Sequence, residues 1–418
     1  MTRGPGQPAE TGTVEMQPLT DTRGQTGLPR YFAPVFDIAQ RLDNGRLDVM
    51  LPDGRIFRAQ GTKPGPAALV EVHEPESFAR LVREGDLGFA DAYLEGWWST
   101  PDLQAFMDLV MGGNANLFEG YPAARLVMLY ERLRHLLRGN SKRQARRNIA
   151  HHYDLGNDFY AEWLDETMTY SSGLFLTGQE DLARAQRQKY AALADRLDMR
   201  PGEHVLEIGC GWGGFAEYAA AERGLRVTGL TISRAQHDYA VARVARAGLS
   251  DRVEIKLCDY RDARGQYDGV ASIEMFEAVG EPYWPVFFET LKARLKPGRL
   301  AALQVITIAE KRFEVYRKGV DFMQKYIFPG GMVPSAPALR AAATGAGLEL
   351  RGSSEFGESY SETLRRWHAS FNGRWESIRQ LGFDERFLRM WNYYLCSCAA
   401  AFRGGNCDVT QITFARPA

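Results

Sequence analysis

The sequence of 418 residues has few cysteines, no long apolar run and almost no net charge. Five cysteines are an odd number in a chain of this length, which favours reduced thiols in the cytoplasm over a disulfide framework. No apolar run approaches the roughly 18 residues that a membrane-spanning helix requires. Lysine and arginine (51) nearly cancel aspartate and glutamate (52), so no overall field indicates a nucleic-acid partner.

Residues 1–28 also lack the apolar segment of a signal peptide. They are rich in Gly, Pro, Thr and Gln, which predicts a disordered tail. Residues 29–125 contain strand candidates at 47–51 and 68–72, and helix candidates in "PESFARLVREG" and "DLQAFMDLVMGG". This part of the chain is therefore predicted to be a small N-terminal α+β domain.

A basic segment follows at residues 132–147, "RLRHLLRGNSKRQARR", with seven lysines or arginines interrupted by leucines. Charge runs are usually solvated, so residues 126–147 are predicted to form a basic linker helix. The alternative is that Arg143, Arg146 and Arg147 contact lipid phosphates at a membrane surface.

From residue 148 onward, strand and helix patterns alternate. The stretches "HVLEIGC", "RVTGLTI", "VEIKLCD", "YDGVASIEM" and "LAALQVITI" are spaced as the strands of a doubly wound parallel sheet. The first is followed by a glycine turn of the G-x-G-x-x-G type, which alone is weak evidence for a nucleotide cofactor. A nicotinamide site would need an acid after the second strand, and "GLTIS" has none. An oxidoreductase is therefore the less favoured alternative to an enzyme with an adenosyl cofactor.

Longer motifs carry a resemblance. The segments "NIAHHYDLGNDFYAEWLDETMTYSSGLF", "VLEIGCGWGGFAEYAA", "GLTISRAQ", "SIEMFEAVG", "YIFPGGMVPS" and "YYLCSCAAAFR" occur in the order found in the cyclopropane-fatty-acyl-phospholipid synthase family. The sequence resembles this family over about residues 148–415, and more loosely over the N-terminal domain through "GFADAYLEGWW". The resemblance implies a Rossmann-like class I methyltransferase domain at 148–418 and a lipid-binding domain at 29–125.

The resemblance also implies the reaction partners. The methyl donor would be S-adenosylmethionine, and the substrate an unsaturated phospholipid acyl chain at the inner face of the membrane, reached from the cytoplasm. A homodimer is one assembly that the resemblance allows. A lipid-binding protein without catalytic activity is the rival class, because it would keep the N-terminal domain but needs no cofactor site.

The cofactor contacts of the family carry over to particular residues. The "YS" pair that closes over the methionine end of the cofactor matches Tyr170 and Ser171, and the glycine turn follows Glu207. The full set implied by the resemblance is Tyr170, Ser171, Glu207, Gly209, Gly211, Gly213, Thr231, Ile232, Gln236, Asp259 and Tyr260. Asp259 and Tyr260 lie where the adenine is usually flanked.

Methyl transfer to an alkene leaves a positive charge on the acyl chain, and a base must then remove a proton. Aromatic faces stabilise such a cation by about 0.5–2 kcal/mol each, and Trp284, Tyr326, Phe328 and Tyr360 are candidates. Family members that form cyclopropanes hold a bicarbonate ion as the base. They use a Cys after the "YS" pair, the Glu of "MFEHVG", a strand His and a Tyr.

The sequence departs from that pattern at two of the four positions. Ser172 replaces the Cys and Gln304 the His, whereas Glu277 and Tyr360 are kept. An additional carboxylate, Glu274, would share a helix face with Glu277 if the segment is helical, and two such carboxylates split their pKa values into an acid and a base. The alternative is that Glu274 caps an element or pairs with a basic residue. These changes weaken the case for bound bicarbonate.

The departures affect ring closure and leave methyl transfer intact. We therefore predict methylation at a carbon of the acyl chain, which gives a methyl- or methylene-branched product, with a cyclopropane as the alternative. Cys398 matches a family cysteine sometimes considered catalytic, and a buried structural thiol is the other interpretation. No metal site is predicted, because the cysteines lack zinc-ligand spacing.

Overall fold

The computed structural model describes residues 17–112, Asn114 and residues 155–418. The predicted linker helix, and with it Arg143, Arg146 and Arg147, lies outside these residues. Within the described part, no helix combines the length and the apolar character needed to cross a bilayer.

The N-terminal domain is a four-stranded sheet with helices packed on it. Its strands are β1 (Asn44–Met50), β2 (Ile56–Gln60), β3 (Lys63–Val72) and β4 (Trp98–Ser99), in the order β2-β1-β3-β4. Its helices are α1 (Phe32–Ala39), α2 (Ser77–Leu94) and α3 (Leu103–Met111). Both strand candidates and both helix candidates of the sequence fall within these elements. Strand β2 was not predicted.

Part of the segment predicted to be a disordered tail, residues 17–28, lies among the described residues and contacts the N-terminal sheet. The backbone N–H of Leu19 donates to the carbonyl of Ile56 at 2.8 Å, and the N–H of Arg58 donates to the carbonyl of Leu19 at 2.7 Å. Residues from 17 onward therefore lie along β2 and do not form part of a free tail.

The second domain contains a seven-stranded sheet in the order β10-β11-β9-β8-β5-β6-β7. Its strands are β5 (His204–Ile208), β6 (Arg226–Thr231), β7 (Val253–Leu257), β8 (Tyr267–Ile273), β9 (Leu295–Ile308), β10 (Glu349–Glu355) and β11 (Cys407–Ala415). Strands β5 to β9 are parallel, as predicted, whereas β10 and β11 pair antiparallel to their neighbours. The predicted doubly wound parallel sheet is confirmed, with two antiparallel strands added at one edge.

Helices cover both faces of this sheet. They are α4 (Asn157–Trp163), α5 (Leu182–Asp195), α6 (Gly214–Arg223), α7 (Arg234–Arg246), α8 (Trp284–Arg294), α9 (Glu310–Tyr316), α10 (Ala336–Gly345), α11 (Gly357–Gly373), α12 (Trp375–Gln380) and α13 (Glu385–Arg403). Several begin at a capping residue. The carboxylates of Asp181 and Asp384 accept from the backbone N–H groups of Arg184 and Phe387, at 2.7 and 2.8 Å.

The strand order reverses between β5 and β8, which flank each other in the middle of the sheet. In such sheets the ligand crevice lies beyond the carboxyl ends of the strands at this reversal. Strands β5 to β8 end directly before Gly209, Ile232, Cys258 and Glu274. The fold thus brings sequence segments that are far apart to one edge of the sheet.

The N-terminal domain is fixed to the second domain by polar contacts. Asp91 of α2 accepts from the Tyr326 hydroxyl at 2.5 Å and from Lys325 Nζ at 2.9 Å. Asn406 Nδ2 donates to the Met111 carbonyl at 2.6 Å. Buried aromatic and aliphatic side chains of both domains also form one continuous apolar cluster. The two domains therefore share a core.

Candidate active site

A cavity of about 1130 Å³ lies at the carboxyl ends of the parallel strands and continues into the N-terminal domain. Near the sheet it is lined by Glu207, Gly211, Thr231, Gln236, Glu274 and Glu277. In the N-terminal domain its walls are apolar and include Phe36, Val49, Val70 and Phe106. The volume exceeds the roughly 300–1,000 Å³ of a typical single-ligand pocket. The cavity can therefore hold two molecules side by side.

The glycine turn after β5 opens onto this cavity. Gly211 has a φ of +52°, and a Cβ added there would meet no atom within 4 Å. Gly209, with φ +85°, faces the Met275 side chain. Gly211 therefore provides the bare backbone that a cofactor can approach closely.

Gly213 does not belong to the cavity wall. A Cβ at this position would lie 3.1 Å from Ala240 of α7, so this glycine allows two helices to approach. Gly214 lines the cavity instead. The G-x-G-x-x-G spacing runs through Gly209, Gly211 and Gly214, which all line the cavity, whereas Gly213 was implied only by the family resemblance.

Glu207 ends β5 as a buried carboxylate. Its side chain lines the cavity, and Oε2 has no hydrogen-bond partner among the described residues. Burial raises the pKa of Glu207 to about 8, and the charges of Lys189 and Arg243 oppose this rise. Such an oxygen is suited to accept a hydrogen bond from an ammonium group of a ligand, which would lower this pKa.

The remaining predicted cofactor contacts lie along the same edge. Thr231 Oγ1 and Gln236 Oε1 are 3.0 Å apart, and both side chains line the cavity together with Ile232. Asp259 and Tyr260 follow β7 and also line it, and Asp259 forms an ion pair of 2.6 Å with Arg261. Tyr170 and Ser171 close the same end.

These features fit S-adenosylmethionine. The unpartnered oxygen of Glu207 can receive the ammonium group of the methionine end, and the bare turn at Gly211 leaves space for the sulfur and ribose. Polar side chains after β6 and β7 are within the same cavity for the ribose hydroxyls and the adenine.

Glu274 lies at the same edge of the sheet, directly after β8. Its carboxylate Oε1 accepts from the Ser172 backbone N–H at 2.9 Å and from Gln304 Nε2 at 2.7 Å. Burial raises the pKa of Glu274, and Lys189, Gln304, Ser172 and Tyr360 act against this. The two positions that depart from the ion-binding pattern therefore both donate to one carboxylate of the protein.

The predicted helical pairing of Glu274 with Glu277 is wrong. Glu274 has a left-handed backbone with φ +47°, and the 3₁₀ turn Phe276–Ala278 begins only two residues later. The two carboxylates still influence each other, because Glu274 contributes to the raised pKa of Glu277. Glu274 also accepts hydrogen bonds, and the charge of Lys189 acts to lower its pKa, so both interpretations of this carboxylate stay predictions.

Glu277 is held by the neighbouring strand. Its Oε1 accepts from the Ile306 backbone N–H at 2.5 Å, and its Oε2 is buried without a partner among the described residues. Burial, followed by the charge of Glu274, raises the pKa of Glu277 to about 8. Near neutral pH this carboxyl group is therefore mostly protonated.

The site also contains a buried lysine that the sequence analysis missed. Lys189 of α5 is 0% exposed, and its Nζ donates to Ser171 Oγ at 2.6 Å. A signal existed, because Ala185, Lys189 and Leu193 follow each other at four-residue spacing and all are buried. A lysine in the apolar stripe of a helix indicates a polar partner inside the protein.

The predicted aromatic residues divide into two groups. Tyr360 and Phe328 line the cavity, and Tyr394, which donates to or accepts from Tyr170 at 2.7 Å, joins them. Tyr326 and Trp284 do not belong to the cavity lining. Tyr326 bonds to Asp91 at the domain contact, and Trp284 packs against Phe276 in the core under the sheet.

Cys398 lines the cavity, but its surroundings favour the packing role. Its Sγ lies 3.7 Å from the Met323 sulfur, and burial raises the pKa of the thiol well above its usual value. A thiol that stays protonated is a poor nucleophile.

A separate bicarbonate ion does not fit this arrangement. The Ser172 and Gln304 donors are already used by Glu274, and an added anion would lie beside a buried carboxylate of the same charge. No step is therefore assigned to such an ion.

The chain resembles proteins of known activity over most of its length. The family described as mycolic acid cyclopropane synthetase matches residues 140–412. The tuberculostearic acid methyltransferase UfaA1 of Mycobacterium tuberculosis is 42% identical over 376 residues, which are 87% of this chain and 87% of that protein. The cyclopropane-fatty-acyl-phospholipid synthase of Escherichia coli K12 is 36% identical over 349 residues, 83% of this chain and 87% of the relative.

Solved structures agree with this assignment. The structure of mycolic acid cyclopropane synthase CmaA1 complexed with SAH and CTAB is 29% identical in sequence and has a TM-score of 0.61. The match covers 64% of this chain and 97% of the CmaA1 chain. The nicotinamide oxidoreductase and the non-catalytic lipid-binding protein are thereby set aside. The chain belongs to the cyclopropane-fatty-acyl-phospholipid synthase family and is an S-adenosylmethionine-dependent methyltransferase.

Proposed function

We propose that the protein transfers a methyl group from S-adenosylmethionine to the double bond of an unsaturated phospholipid acyl chain and forms a methyl- or methylene-branched chain. The position of the Glu274 carboxylate carries this proposal. It accepts hydrogen bonds from the side chain of Gln304, which stands where the cyclopropane-forming members have a His, and from the backbone N–H of Ser172. The protein thus supplies its own proton acceptor beside the cofactor end of the cavity.

The cofactor supplies, when bound, a methyl group on a positively charged sulfur, which is an electrophile that an isolated alkene can attack. Glu207 would hold the ammonium group, and Gly211 would let the backbone lie against the cofactor. Asp259 and Tyr260 would flank the adenine. These residues would hold the cofactor in the same cavity that Glu274 lines, so that methyl transfer and proton removal take place side by side.

The apolar part of the cavity supports an acyl chain as the substrate. Val49 and Val70 of the N-terminal sheet line it, together with Phe36 and Phe106 from two helices. All four side chains are less than 9% exposed. Such walls keep water away from a cation that water would otherwise trap. We therefore propose that residues 29–125 act as a lipid-binding domain that receives the end of the acyl tail.

The residues near Glu274 serve the second half of the reaction. The π electrons of the alkene form the bond to the methyl carbon while the bond from that carbon to sulfur breaks and leaves its electron pair on the sulfur. A positive charge then remains on the other alkene carbon, and the rings of Tyr360 and Phe328 can face this charge. Glu274 then takes a proton from the added methyl group. The electron pair of the broken C–H bond forms a new bond between the methyl carbon and the positively charged carbon. If a hydride first moves from the methylated carbon to its charged neighbour, the new bond is the C=C of a methylene branch. Without this shift, the new bond closes a cyclopropane ring.

Product analysis tests the proposal. Cells without a cyclopropane synthase of their own, expressing this protein, should accumulate phospholipid acyl chains that are one carbon heavier and show vinyl proton signals. Cyclopropane ring protons, upfield of the methylenes of the acyl tail, are the alternative. A product made only of cyclopropane would show that the proposed branch is wrong, and unchanged lipids would show that methyl transfer itself is wrong. A saturated methyl branch would in addition require a hydride donor.

Narrowing the apolar end tests the acyl-chain assignment. Ala39 lines the cavity and is 3% exposed, so Ala39→Phe should shift the preference toward shorter chains by about tenfold. Competition between liposomes of two acyl lengths measures this preference. Ala343→Phe is the matched control, because Ala343 is 0% exposed in α10 and does not belong to the cavity lining. An unchanged preference in Ala39→Phe would contradict the assignment.

We further propose that the enzyme acts from the cytoplasm at the inner face of the membrane, because its substrate resides in the bilayer. Contact of Arg143, Arg146 and Arg147 with lipid phosphates stays a prediction, which salt-dependent liposome sedimentation checks. The homodimer also stays a prediction.

A further inference from the structure

We propose that Lys189 is a positioning residue that keeps Glu274 ionised as the proton acceptor and fixes Ser171 against the cofactor. This inference rests on the proposed function, because it assigns Lys189 a role only through Glu274. Lys189 does not touch the acyl chain in this assignment. Lys189 affects the reaction only through Ser171, which contacts the cofactor, and Glu274, which accepts the proton.

The Lys189 side chain is bonded to the segment that holds Glu274, and the Lys189 backbone carbonyl is bonded to the side-chain network around Glu274. On one side, Lys189 Nζ donates to Ser171 Oγ at 2.6 Å, and the next residue, Ser172, donates its backbone N–H to Glu274. On the other side, Gln411 Nε2 donates to the Lys189 carbonyl at 3.2 Å and to Gln304 Oε1 at 3.1 Å. Gln304 in turn donates to Glu274 at 2.7 Å.

All members of this network are buried. Lys189 and Ser172 are 0% exposed, and Gln304 and Gln411 are 1% exposed. The side chains therefore have little freedom to rearrange. A hydrogen-bonded network without water access holds its charges in fixed positions and strengthens their mutual attraction.

The charged and titratable groups that face Lys189 come from several elements. Glu274 follows β8, Glu207 ends β5 and Asp165 follows α4, and each attracts the ammonium group. Burial lowers the pKa of Lys189, and these three carboxylates oppose that effect. The Lys189 ammonium group also lies 4.6 Å from the centre of the Tyr190 ring.

The groups that face Glu274 define what Lys189 contributes. Glu277 carries a carboxyl that is mostly protonated, and Tyr360 a phenol whose pKa burial raises well above its usual value. Arg243 acts on Glu207 and is itself paired with Glu217. Lys189 is thus the cation that opposes the burial of Glu274. A buried carboxylate without a nearby cation takes up a proton at neutral pH and can no longer act as a base.

The pH dependence of methyl transfer tests this role. Lys189→Met removes the charge and keeps an unbranched side chain of similar length. The acidic limb of kcat/KM, which reports the ionisation of the base in the free enzyme, should then move to higher pH by about one unit or more. Lys292→Met is the control, because this lysine bonds to the Ala346 carbonyl far from the site, and its profile should equal that of wild type.

A second variant decides the case if Lys189→Met fails to fold. Glu274→Gln in the same protein removes the buried carboxyl group that has lost its cation. The double variant should therefore fold where Lys189→Met does not, or melt at a higher temperature than Lys189→Met where both fold. An unchanged acidic limb in a folded Lys189→Met, or a double variant no more stable than the single one, would overturn the inference. Absence of methyl transfer by the wild type would instead reject the proposed function.

Discussion

Substitution of Gly211 by valine is expected to abolish the binding of S-adenosylmethionine. Gly211 lines the cavity with φ +52°, and the space beyond its missing Cβ is free of protein atoms within 4 Å. A valine side chain would extend into the volume that the cofactor requires. Isothermal titration should show micromolar binding to the wild type and no heat of binding for the variant.

Gly248→Val separates this effect from backbone strain. Gly248 follows α7 with φ +68°, has the same open surroundings and does not belong to the cavity lining. A β-branched residue in this conformation costs of order 1–3 kcal/mol at either position. The control should therefore lose similar stability and bind the cofactor normally. Normal binding of S-adenosylmethionine by Gly211→Val would contradict the assignment of the glycine turn to the cofactor.

Glu274→Gln is expected to lower turnover by about 10² or more while cofactor binding is retained, since this is the scale of general-base assistance. The amide keeps the shape of the side chain but cannot accept the proton from the acyl chain. Steady-state methyl transfer to unsaturated liposomes measures kcat, and calorimetry measures cofactor affinity.

Comparison with Glu277→Gln identifies which of the two carboxyl groups accepts the proton from the acyl chain. The pKa of Glu277 is raised to about 8, so near neutral pH its carboxyl is mostly protonated, and a neutral amide resembles it more closely. We expect a smaller loss of turnover than with Glu274→Gln. The reverse order of effects would make Glu277 the base.

The parallel sheet could be predicted from the sequence because each of its strands is an apolar run followed by turn residues. The edge strand β10 could not. Strand β10 is "ELRGSSE", largely polar and exposed, and it is a strand only because β11 pairs with it. Such pairing depends on tertiary contacts and leaves little local signal.

The candidate site could be predicted in its residue types more than in its geometry. The motifs correctly brought Glu207, Gly211 and Thr231 to one cavity. Spacing could not show that Gly213 faces a helix, because the direction of a Cβ depends on the backbone of the turn. It also could not show that Glu274 adopts a left-handed conformation, which requires the pairing of β8 with β9 to be known.

Buried side chains of the N-terminal domain line the apolar part of the cavity, and the proposed binding of the acyl tail against them has a consequence for where the reaction occurs along the tail. A tail whose terminal methyl rests against these side chains stops at the same depth in every lipid that carries it. The carbon that comes to rest beside Glu274 is then determined by counting from that methyl, and the ester end and the head group do not enter the count. Lipids that differ in head group or in glycerol position, but carry the same tail, would be modified at the same carbon.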